Sequence, residues 1–101
     1  MTVEAAFAGA AAALMQEFSA DATYTPPHGL PVPTRAAGPQ RIRRVRADGL
    51  AVEVVSLVRL PATDVPQPQR GGTVAIGADV WLIEGLDSDD GSVVTVTVRA
   101  P

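Results

Sequence analysis

The run Val93-Val94-Thr95-Val96-Thr97-Val98-Arg99 constrains this chain more than any other stretch. Val94, Val96 and Val98 fall on one side, and Thr95, Thr97 and Arg99 on the other. Period-two alternation of this kind is the pattern of a half-buried antiparallel strand. β-Branched side chains, stiff at χ1, also pack better on a pleated surface than in a helix. A strand needs partners, and the residues just before it supply them. Thr73 to Ile76 reads as a strand, Gly77-Ala78-Asp79 as a tight turn, and Val80 to Leu86 as the returning strand. Val80 to Ile83 is apolar on both faces, which predicts a central position or cover from a neighbouring subunit. Asp87 to Ser92 reads as a polar turn.

The upstream sequence extends the same class. Asp48-Gly49 signals a turn. Leu50 to Leu60 then reads as a strand, with Leu50, Val52, Val54, Val58 and Leu60 on one face and Glu53, Val55, Leu57 and Arg59 on the other. Pro61 to Pro68 reads as an extended connector. Pro26 to Pro33 holds four prolines around Gly29, so it must be extended or turning chain, because proline lacks the donor a ladder needs. Val32 to Ala37 reads as a short strand, and Asp21 to Thr25 as a strand or the exit from a helix. That helix is expected over about 2–20, from alanine content, a Thr2 N-cap, and Val3, Phe7, Ala11, Leu14 and Phe18 at helical spacing. The expected fold is mainly β. It is a small β-sandwich or barrel of about five to six antiparallel strands with one N-terminal α-helix. Residues 1–101 form one domain, with the β-body over about 22–101.

Chemistry is poorly provided for. With no cysteine and a single histidine, His28, neither a thiolate site nor a multi-histidine metal site fits within one chain. Asp87-Ser88-Asp89-Asp90-Gly91 is the one carboxylate cluster. It lacks the spacing of a calcium-binding helix-loop-helix and reads better as a solvated turn. Arg70-Gly71-Gly72-Thr73 lacks the lysine of a phosphate-cradling loop, and its glycines suit a turn into the next strand. We therefore expect no enzyme, catalytic residue, metal or cofactor. The alanine-rich start lacks a basic leader, and no run approaches the roughly 18 apolar residues of a membrane span, so no membrane role is expected. With 101 residues and four aromatics, the core must be aliphatic and small, a situation that oligomerisation often remedies.

Charge is segregated. All eight basic residues are arginine, and five of them, Arg35, Arg41, Arg43, Arg44 and Arg46, lie within twelve positions. No acid occurs from Ala22 to Ala47, whereas Asp79, Glu84, Asp87, Asp89 and Asp90 crowd a later segment. Arg41, Arg43, Arg44 and Arg46 are candidates for an inter-subunit or DNA-facing surface, and Asp87, Asp89 and Asp90 for an acidic partner surface. Opposite charge on two faces of identical subunits would help choose a ring register. Phosphate contacts along a DNA passage are the alternative, and two ordinary solvated faces the third. The net charge of −3 and a basic stretch without aromatics count against a small-barrel nucleic-acid binder.

Three stretches carry a resemblance. They are Gln69-Arg70-Gly71-Gly72-Thr73-Val74-Ala75-Ile76-Gly77, Val80-Trp81-Leu82-Ile83, and Leu86-Asp87-Ser88-Asp89-Asp90-Gly91. In that order they resemble the C-terminal part of the lambda-like phage head–tail joining family, also termed head completion, stopper or tail attachment proteins. The alanine-rich start followed by Asp21-Ala22-Thr23-Tyr24-Thr25-Pro26-Pro27 is similar to prophage and gene-transfer-agent members. Gly72 stands where relatives often carry Asp, and Arg41 to Arg46 has no counterpart in the pattern. The resemblance implies a neck component without cofactor. It implies a homo-oligomeric ring, hexamer or dodecamer, with a portal or adaptor protein above and a tail terminator or tail tube protein below. DNA would pass through the channel, which 25–39 or 39–49 would narrow as loops. The expected location is the virion neck, after assembly in the bacterial cytoplasm. Another neck or tail-tube component is the nearest alternative.

Overall fold

The valine–threonine alternation at the C-terminus becomes β6 (Val93–Arg99), and Val94, Val96 and Val98 are core residues. The computed structural model describes residues 19–46 and 48–101. Before β6 come β1 (Ala20–Thr25), β2 (Val32–Val45), β3 (Val52–Pro61), β4 (Thr73–Ile76) and β5 (Asp79–Asp89). All neighbours are antiparallel, in the order β1-β2-β3-β6-β5-β4, and β4 pairs back to β1 to close a barrel. Closure answers the apolar content of short strands, since every strand gains a neighbour on each side over part of its length.

Inward-facing aliphatic side chains fill the interior. Leu60, Ile83, Val58, Val74, Val94 and Val96 are all fully buried. Val65 joins them from the β3–β4 connector, where the Asp64 and Val65 amides both donate to the Pro61 carbonyl. The Thr34 hydroxyl donates to Asp64 Oδ2 at 2.9 Å and fastens that connector to β2. Tyr24, the one buried aromatic ring among the described residues, accepts a hydrogen bond at its hydroxyl from the Gln69 amide at 2.9 Å. Gly71 and Gly72 do serve the turn. Gly71 has φ +89°, and a Cβ on Gly72 would stand 3.0 Å from the Thr25 carbonyl oxygen.

Several expected boundaries shift. The helix expected over 2–20 lies outside the described residues as far as residue 18, and Ala20 already belongs to β1. β2 does not stop at Ala37 but runs on to Val45, so most of the 39–49 loop is strand. The reason is a bulge. Ala37 pairs with Arg59 and Gln40 with Leu57, so Gly38 and Pro39 together face Val58 and the ladder resumes beyond them. Leu50 precedes its strand, and Pro61 ends β3 rather than opening an extended connector. Asp87 to Asp89 belong to β5, which leaves only Asp90 to Ser92 as the turn. Val80 lies on a strand with partners on both sides, yet it is about half exposed.

Candidate functional site: a ribbon that outruns the barrel

β3 has two neighbours only where the barrel lasts. From Ser56 to Pro61 it pairs with β6, but from Val52 to Val55 it pairs with β2 alone. β2 in turn loses β1 beyond the Ala20–Ala36 pair. Residues 40–46 and 51–55 therefore form a two-stranded arm standing beyond one end of the barrel. Its tip is closed by hydrogen bonds from Arg46 N to Ala51 O and from Gly49 N to Arg46 O, both 2.8 Å. The Leu50 amide donates to Asp48 Oδ1 at 3.0 Å. At its base Arg59 Nη1 donates to Gln40 Oε1 at 2.8 Å.

The arm has two unlike sides, fixed by strand alternation. One carries Ile42, Arg44, Glu53 and Val55, and it is tied to the body. Arg44 Nη1 donates to Asp87 Oδ1 at 2.7 Å, and its Nε donates to Glu53 Oε1 at 3.2 Å. β5 pairs with neither strand of the arm, so this bond fastens the arm to a part of the body that its own ladder does not reach. The hydrogen bond to Asp87, then that to Glu53, holds the Arg44 guanidinium above its ordinary pKa. Asp87 reaches it from a bulge. Leu86 faces Val96 and Ser88 faces Thr95, so Asp87 is the extra residue between them. Glu84 is extra in the same way between Ile83 and Gly85, and it pairs with Arg99 at 3.3 Å. Bulges re-aim side chains, and here both re-aimed residues are acids that meet an arginine.

The other side carries Arg41, Arg43, Val45, Val52 and Val54, and it is open. Val45, Val52 and Val54 are 64%, 60% and 52% exposed. These valines continue the row of Val58 and Leu60, whose side chains are core; the row simply runs past the mouth of the barrel. Trp81 lies beside that mouth, in an open groove with Arg41 and Val54. Arg41 and Arg43 form no ion pair among the described residues.

The candidate residues are thus divided. Arg44 and Asp87 meet within one chain, Arg46 approaches Asp48 at 3.9 Å, and Arg41 and Arg43 face solvent. Asp89 and Asp90 shape the β5–β6 turn. Asp89 Oδ1 accepts from the Gly91 amide, and Asp90 Oδ1 accepts from those of Ser92 and Val93. Among the described residues no three acidic or histidine side chains converge as metal ligands, and no helix is long and apolar enough to cross a membrane. Sequence reasoning missed the exposure of Val45, Val52 and Val54. The signal lay in Arg41 and Arg43 on the same face, because a ribbon buried on this side would not interleave valine with charge. A family model described as phage head-tail attachment protein matches residues 4–100. No curated protein matches the chain.

Proposed function

The chain belongs to the phage head-tail attachment protein family, which places it among structural proteins of the phage neck, and on that premise we propose that it is a non-catalytic ring subunit between the portal or its adaptor and the tail. In that position it helps retain packaged DNA and offers the platform on which the tail docks. The observation that carries this reading is the family match over nearly the whole chain, residues 4–100. Two features of the molecule support it. The barrel is a small aliphatic body whose hydrogen bonds close on themselves, and a half-apolar, half-basic arm projects from one end. An arm with an uncovered, half-apolar face suits assembly with a partner surface.

The test is deletion of the gene from its phage, prophage or transfer-agent cluster. Particles are expected to package DNA, then lose it, and to accumulate as tailless heads. Complementation should restore tails and nuclease-resistant DNA together. Tailed, DNA-retaining particles after deletion would refute the proposal. Turnover of any substrate by the purified chain would refute the non-catalytic part.

A further inference from the structure

We propose that the open side of the arm is the surface with which one copy of this chain grips the next, and that it meets the β5–β6 corner bearing Leu86, Asp89 and Asp90. The inference rests on the neck reading above and names the contact that would build the ring.

The arm offers three exposed valines, Val45, Val52 and Val54, beside Arg41 and Arg43. Neither arginine has an acidic partner among the described residues. In its own chain Asp87 is engaged instead by Arg44, on the arm's other side. The corner offers the complement. Leu86, between the two bulges of β5, is 61% exposed. Asp89 and Asp90 lie just beyond it, each with Oδ1 engaged by backbone amides and Oδ2 without a hydrogen bond among the described residues. Apolar area therefore faces apolar area and cation faces anion, which sets register as well as contact. The two surfaces differ, so the contact is head-to-tail, the kind that closes into a ring. Nucleic acid as occupant would use the arginines but would leave the valines wet.

The chain has no cysteine, which permits a clean test. Val54→Cys and Leu86→Cys, singly and together, are introduced into the full-length protein in assembled particles, followed by a short thiol-to-thiol cross-linker. Both positions are more than half exposed, so the barrel should fold in each variant. The double variant is expected to give a ladder of covalent multimers, and each single variant none. Adding Arg41→Glu and Arg43→Glu should cut the ladder about tenfold. Incorporated double variant that stays monomeric overturns the contact and leaves the neck reading standing. So does a ladder that ignores the charge reversal, or Val54→Cys joined to a head or tail protein instead. Wild-type particles that lack this chain overturn both.

Discussion

Val54 and Val58 are the same residue type on the same side of the same strand, four positions apart. Val58 is fully buried and Val54 is 52% exposed. The difference is not in the residues but in what stands beside them. Val58 has β6 as a neighbour through its pair with Val96, while Val54 has only β2 through Arg43. Barrel and arm thus share strands and differ in company. An apolar side chain is stabilising only where enough surface closes over it, so the arm keeps its valines at no gain to the lone chain.

The sharpest way to break that comparison is to truncate both valines. Val58→Ala should cost about 2–3 kcal/mol in urea unfolding, from lost burial and the cavity left behind. Val54→Ala should stay within about 0.5 kcal/mol. Equal losses would mean that the arm is packed in the free protein. Next comes the junction. Gly38 has φ +121°, and a Cβ there would stand 2.6 Å from the Leu57 carbonyl oxygen. Gly38→Ala should therefore cost about 1–3 kcal/mol, and amide exchange should quicken through Arg41 to Val45 before it does in β6. Within the barrel, Tyr24→Phe removes the acceptor of the Gln69 amide and should cost about 1 kcal/mol in the same unfolding assay.

The smallest effect concerns the tether. Arg44→Ala should leave the unfolding midpoint nearly unchanged yet speed amide exchange along the arm, and added salt should do the same to the wild type. The Arg44 pKa is raised in the folded state, so the tether's contribution from this group is complete below the ordinary guanidinium value. It is lost only as pH rises through the still higher folded value, so no loss through Arg44 is expected across the neutral range.

The barrel was legible where alternation meets turn residues. Val93 to Arg99 and Thr73 to Ile76 stand where the pattern puts them, and the turn read at Gly77-Ala78-Asp79 is shorter by Asp79, which opens β5. β2 was harder, because Gly38-Pro39 reads as a break; a bulge absorbs both residues and lets pairing resume. Asp87 and Ser88 read as turn because they are polar, whereas the bulge that makes Asp87 useful leaves no mark on composition. The side of β3 was readable from Val52 through Leu60, but not the point at which the barrel stops, since that is set by the length of β6 rather than by β3 itself. The Arg44–Asp87 bond joins strands that are nowhere adjacent, and charge segregation foretold only that the two segments could attract. The helix expected over 2–20 lies outside the described residues as far as residue 18.

Because the six strands close on one another, each has a neighbour on both sides over part of its length, which leaves little raw hem on which another polypeptide could knit. The ribbon has loose margins, as does β5 beyond Ile83, and the ribbon is studded with guanidinium groups that repel a second ribbon laid alongside. Fibre growth by strand addition is thus opposed wherever two strands flank a third, and along the arm by its arginines.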